Sequence, residues 1–219
     1  MATARGSRAA QHRPFRPEGC ADYPAVIGCD EVGRGALSGP VVAAAVWFDP
    51  CRVPPELLAN LDDSKKLTAK RREGLTDLIA AHGRVALAGA SARAIDRHGI
   101  RAATLTAMGR AVERLGLDMP IRIDGVDVPP DLAGRRAAAV VRGDATVPQI
   151  AAASVVAKVF RDRLMARLAR RYPGYGWERN AGYGTAEHRE ALGLHGPSPQ
   201  HRRSFAPVRQ VDWLDAPLA

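Results

Sequence analysis

The run VIGCDEVGRGALSGPVVAAAV, which starts at Val26, sets two adjacent carboxylates, Asp30 and Glu31, between two apolar segments. The residues before them mix β-branched and small side chains, as a buried strand does. Burying one unpaired carboxylate costs several kcal/mol, a large share of a domain's net stability. A chain that keeps two of them there must bring positive charge to the spot. The strand therefore has to end at a site built for cations, and the rest of the fold has to supply it.

The connection that follows is glycine-rich and too short for a helical crossover. It leads through Pro40 into a second apolar strand, PVVAAAVWF, so the two strands should pair antiparallel. GRGALSG is not a dinucleotide fingerprint, because that loop must open a helix, and it lacks the Gly-Lys-Ser/Thr of a Walker A loop. Gly33 and Gly35 with Arg34 between them leave two readings. One is a loop whose exposed N–H groups and guanidinium suit a phosphate or a sugar edge. The other is a plain tight turn.

Further along, DDSKKLTAKRREGLTDLIAAHG predicts a helix, with cap-type residues at Asp63 and Ser64 and a stop at Gly83. RVALAGASA is a third strand. A helix spans about 94–117, weakened near Gly99, with Leu105, Met108, Val112 and Leu115 at helical spacing. PIRIDG reads as a fourth strand ending in Asp124, and AAAVVRGD as a fifth ending in Asp144. A long helix follows, with Ile150, Ala153, Ala157, Phe160, Leu164 and Leu168 as its apolar stripe. From Gly174 onward the chain is rich in Gly, Pro, His and Arg, which predicts short helices and loops. The expected class is α/β with a mixed sheet flanked by helices. The expected division is a basic arm over 1–22, a catalytic core over 23–172 and a helical extension over 173–219 that completes the substrate site.

Three strand ends thus carry acid: Asp30 with Glu31, then Asp124, then Asp144. Neighbouring strand ends would bring the four together, and four anions at close range cannot all stay ionised without cations. Oxygen-only ligation selects Mg²⁺ or Mn²⁺, and two such ions about 4 Å apart can clamp a phosphodiester. Taken singly, an Asp at a strand end also turns the chain, and Asp144 could simply cap the helix that begins near Val147.

Lys and Arg outnumber Asp and Glu by 32 to 23, for a formal charge of +9. That fits a polyanionic partner such as nucleic acid, and equally a generally basic surface. The three cysteines, Cys20, Cys29 and Cys51, form no C-x-x-C pair. A disulfide scaffold or zinc site is not expected, and a reducing compartment fits. No apolar run spans a membrane, and the first residues lack a secretory h-region; they read as a basic arm or as a transit peptide. A cytoplasmic monomer is expected, with no sliding-clamp peptide evident in FAPVRQVDWLDAPLA.

GCDEVGRGALSGPVVAAAV, DDSKKL, IDG, GDATVPQIAAASVVAKVFRD, GYGT and HRRSF together resemble the type 2 ribonucleases H, ribonuclease HII, in the same order from about Ile27 to Val208. The resemblance implies an RNase H-like fold with a mixed five-stranded sheet. It also implies a divalent metal-dependent endonuclease acting on RNA–DNA hybrids and on DNA duplexes that contain ribonucleotides, as in replication and ribonucleotide excision repair. Cutting would fall 5′ of the ribonucleotide, leaving a 3′-hydroxyl and a 5′-phosphate, with two Mg²⁺ or Mn²⁺ ions on Asp30, Glu31, Asp124 and Asp144. By the same resemblance Gly33, Arg34 and Gly35 contact the ribo–deoxyribo junction, and Tyr183 packs on the sugar beside the cut. Ser64, Lys65 and Lys158 lie near the substrate backbone, although Lys158 also reads as a snorkelling helix lysine. Two positions depart from the pattern: Ala181 stands where a Lys is common before GY, and Gly99 where an Asn is common.

Two other classes compete. A non-catalytic nucleic-acid-binding protein would explain the charge but not four converging acids. A DNA-cutting enzyme of the same superfold would explain the acids but not the Gly-Arg-Gly and GYGT elements.

Overall fold

The structure is a computed structural model that describes Phe15, residues 21–62 and residues 67–214. Ile27–Val32 (β1) and Val41–Trp47 (β2) pair antiparallel, from Ile27 opposite Trp47 to Val32 opposite Val42. The helices in chain order are Pro55–Asp62 (α1), Ala69–His82 (α2), Ala92–His98 (α3), Ile100–Leu115 (α4), Pro148–Arg171 (α5), Trp177–Asn180 (α6), Ala186–His195 (α7) and Ala206–Leu214 (α8). Arg84–Ala90 (β3) joins β2 antiparallel. Ile121–Asp124 (β4) lies parallel to β1, and Ala137–Val140 (β5) lies parallel to β4. The sheet is therefore mixed and five-stranded, in the order β3-β2-β1-β4-β5. Among the described residues no helix is long and apolar enough to cross a membrane.

Strand alternation decides which helix covers which face. Ala44 and Val46 pack with Leu75 and Ile79 of α2 and with Ala152 and Val156 of α5. Ala43 and Ala45 turn the other way, with Ile27, Cys29 and Ile123, onto Met108, Ala111 and Val112 of α4. Small residues let the helices come close. A Cβ on Gly28 would lie 2.1 Å from the backbone carbon of Gln149, so the first turn of α5 rests directly on β1. That contact fixes α5 over the strand that carries Asp30 and Glu31.

Several expectations are corrected. α2 begins after Thr68, whose hydroxyl accepts from Arg71 N, rather than at Asp63 or Ser64; residues 63–66 lie outside the described residues. α1 was not anticipated. β5 stops at Val140, and Asp144 sits beyond it in a 3-10 turn over Gly143–Ala145. Phe160 is 45% exposed, off the core that its spacing implied. Cys29 is a free, buried thiol, whereas Cys51 is disulfide-bonded, a bond that the expectation of a reducing compartment did not include. The weak point near Gly99 is real: with φ at +78°, this residue separates α3 from α4.

Candidate active site

β1 and β4 run parallel with Cys29 level with Ile123, which sets Asp30 and Asp124 at the same height at the ends of neighbouring strands. Asp30 is buried. Its Oδ1 accepts from Glu31 N at 2.7 Å, and the Ser154 side chain of α5 hydrogen-bonds its carboxylate. Burial pushes Asp30 up to about 7, and the charges of Glu31 and Asp124 add to the rise against the Ser154 bond. Burial also raises Glu31, helped by Asp124 and opposed by Arg34, whose Nη1 lies 3.2 Å from Glu31 Oε1. Asp124 Oδ1 accepts from Gly143 N at 2.7 Å. The next residue in that turn is Asp144, one position from the N–H that Asp124 accepts.

Asp30, Glu31 and Asp124 therefore share one electrostatic neighbourhood. Among the described residues no three His, Cys, Asp or Glu side chains already close into a cage for an ion. Glu31 pairs with Arg34, and Asp124 accepts from a backbone N–H. The donors are all carboxylate oxygens. That set fits a hard divalent cation.

The loop after β1 borders these acids. Gly33 has φ at +89°, and a Cβ there would lie 2.1 Å from Arg161 Nε, so both conformation and space demand glycine. Arg34 and Gly35 are exposed. Ala36 pairs with Tyr183 through an isolated antiparallel bridge, which places GYGT beside Gly-Arg-Gly. The Arg161 guanidinium stands 5.4 Å from the centre of the Tyr183 ring. Ala181 is left-handed, with φ at +48°, and its carbonyl accepts from Arg161 Nη1 at 2.8 Å.

Lys158 stands one turn beyond Ser154 on α5 and pairs with Asp162 at 2.8 Å. It lines a charged cleft with Arg72, Glu73 and Arg163 between α2 and α5. Ser64 and Lys65 lie outside the described residues. Sequence reasoning missed Ser154, Arg161 and Arg202. Arginines are almost never fully buried unless paired, so nothing in their spacing marked two of them as interior. Only the HRRSF likeness pointed at Arg202.

The family model for ribonuclease HII matches residues 27–208. The ribonuclease HII of Paramagnetospirillum magneticum is 55% identical over 185 residues, covering 84% of this chain and 92% of that protein. That of Rhodospirillum rubrum is 57% identical over 191 residues, covering 85% and 86%. The crystal structure of ribonuclease H2 from Pyrococcus horikoshii superposes with a TM-score of 0.74 at 26% identity, over 86% of this chain and 97% of that one. A mixed sheet with acids at adjacent strand ends and this degree of likeness lead to one conclusion: the chain belongs to the ribonuclease HII family and is a type 2 ribonuclease H, a metal-dependent hydrolase.

Proposed function

We propose that this protein hydrolyses the RNA strand of RNA–DNA hybrids and also cuts at single ribonucleotides embedded in duplex DNA. Cleavage falls on the 5′ side of the ribonucleotide and leaves a 3′-hydroxyl and a 5′-phosphate. The observation that carries the reading is geometric: parallel pairing of β1 and β4 sets Asp30 and Asp124 level at neighbouring strand ends, next to Glu31 and to the Gly33–Gly35 loop that the Ala36–Tyr183 bridge joins to GYGT.

Asp30, Glu31, Asp124 and Asp144 would hold Mg²⁺ or Mn²⁺, two ions in the catalytic state. Bound there, such ions supply an activated nucleophile at neutral pH and offset charge on the departing oxygen. The chain's own side chains select the substrate. Arg34, once freed from Glu31, reaches the sugar–phosphate edge, and the N–H groups of its loop meet the 2′-hydroxyl, the group that separates RNA from DNA. Tyr183 packs on the sugar beside the cut, its ring backed by Arg161. Ser64, Lys65 and Lys158 follow the phosphates, a mode of binding that weakens steeply with salt.

The test is a DNA duplex with one internal ribonucleotide, incubated with Mg²⁺, with Mn²⁺ or with EDTA, and the cut mapped to the nucleotide. A single cut 5′ of the ribonucleotide that needs the metal is expected. Equal cutting of an all-DNA duplex would favour the DNA-cutting alternative, and binding without any cut would favour the non-catalytic one.

A further inference from the structure

Arg202 is fully buried against the Gly33–Gly39 loop. Its guanidinium donates to Gly33 O and Arg34 O, each at 2.7 Å, and to Gly39 O from two nitrogens at 3.1 and 3.0 Å. Its backbone N–H donates to Leu37 O at 2.9 Å. Arg161, equally buried, donates to Pro40 O, Ala181 O and Ser38 O at 2.8–3.0 Å. Among the described residues neither guanidinium hydrogen-bonds a carboxylate; every acceptor is a backbone carbonyl. Taking two cations out of water without a paired anion is costly, and the two repel: burial, then the charge of Arg161, hold Arg202 down to about 9. Apolar side chains would fill that space with less penalty. What they could not do is grip a row of carbonyls.

The grip has a directional consequence. A trans peptide is planar, with its C=O and the following N–H on opposite sides. Carbonyls of Gly33 and Arg34 drawn inward onto Arg202 turn the N–H groups of Arg34 and Gly35 outward. Both residues are exposed, and a Cβ on Gly35 would meet nothing within 4 Å. Two successive donors thus face open space beside the acids, a concavity suited to a polar oxygen.

We propose that Arg202 is a positioning residue for recognition of the ribonucleotide. Without touching the substrate, it fixes the outward presentation of the Arg34 and Gly35 N–H groups to the 2′-hydroxyl. The proposal rests on the reading of this protein as a ribonucleotide-directed nuclease. Lysine cannot substitute, because a single ammonium has no fork to span successive carbonyls.

The test is binding in EDTA, where no metal-dependent cleavage occurs. Duplexes of one sequence, all-DNA or with one ribonucleotide, are titrated by fluorescence anisotropy at fixed salt. The wild type is expected to prefer the ribonucleotide duplex roughly five- to tenfold, the worth of one or two neutral hydrogen bonds. Arg202→Lys and Arg202→Met are expected to lose that preference while keeping all-DNA affinity within about twofold. A purely structural loss would weaken both duplexes alike, and that result overturns the proposal. Should the variants not fold, ¹⁵N-labelled wild type supplies the second measurement: the amide signals of Arg34 and Gly35 shift with the ribonucleotide duplex and not with the all-DNA one. Equal shifts with both overturn the positioning role. A wild type with no preference removes the function reading itself. A wild-type preference kept by both folded variants removes only the role of Arg202.

Discussion

His188 Nε2 and His201 Nε2 face one another at 3.0 Å inside the protein. Their other contacts fix both tautomers. His188 Nδ1 lies 2.9 Å from Tyr183 O, so it carries the proton. Its Nε2 then accepts from Trp177 Nε1 at 3.1 Å and from the Nε2–H of His201. His201 Nδ1 in turn accepts from Ser198 N and Ser198 Oγ, both at 2.9 Å. The chain of bonds closes only with both rings neutral, and it holds the Tyr183 backbone to the 198–201 segment.

Burial pushes both imidazoles down, His201 to about 3 with the charge of His188 adding. Between about 6.5 and 3 the unfolded chain therefore binds more protons than the folded one, and stability is lost as pH falls through that window. His201 contributes a slope of up to about 1.4 kcal/mol per pH unit across that window. Urea unfolding of His201→Gln at pH 6.5, 5.5 and 4.5 should show a shallower acid slope than the wild type. Equal slopes would mean that His201 does not bury as a neutral ring.

Asp30 titrates with the opposite sign. The folded protein keeps its proton up to about 7, the free chain releases it near 3.8, and so stability declines as pH rises between those values and stays lost above them. In EDTA at pH 8, Asp30→Asn should be more stable than the wild type by up to about 4 kcal/mol, and no more stable at pH 4. Added Mn²⁺ should narrow the gap by stabilising only the wild type. A thermal-melt series checks all three. A loss of stability at pH 8 would show that Asp30 is not a strained anion.

Asp124→Asn should reduce turnover by about two orders of magnitude or more while leaving duplex affinity in EDTA within about twofold. Single-turnover cleavage and anisotropy separate the two effects. Near-full activity would remove Asp124 from the metal site.

Two glycines should behave oppositely on replacement by alanine. Gly28→Ala forces a methyl group into the Gln149 backbone and should cost about 3 kcal/mol, a drop of roughly 6–12 °C in Tm. Gly35→Ala meets open space and should change stability by no more than about 0.5 kcal/mol. Calorimetry on both variants checks the contrast.

Local pattern made the sheet and the acids legible. Short apolar runs rich in β-branched and small residues gave the five strands, and an acid against such a run singled out Asp30, Glu31 and Asp124 as candidates. Asp144 was expected at the end of the fifth strand but lies beyond it, because Val141 continues the apolar pattern while the backbone has already turned at Arg142, whose φ is +56°. Arg161, Arg202, His188 and His201 were not legible. Their acceptors are backbone atoms and rings brought near by tertiary folding, and a backbone carbonyl leaves no mark in a sequence.

Gly33 and Arg202, joined at 2.7 Å, are 169 positions apart in the chain. At ribosomal speeds of about 5–20 residues per second, the loop waits roughly ten to thirty seconds for the guanidinium that anchors it. A nascent chain thus displays Asp30 and Glu31 well before it gains its clasp at Arg202. Translation order alone installs that clasp long after the loop it holds, and a ribosome that stalls in between releases a chain whose loop was never fastened.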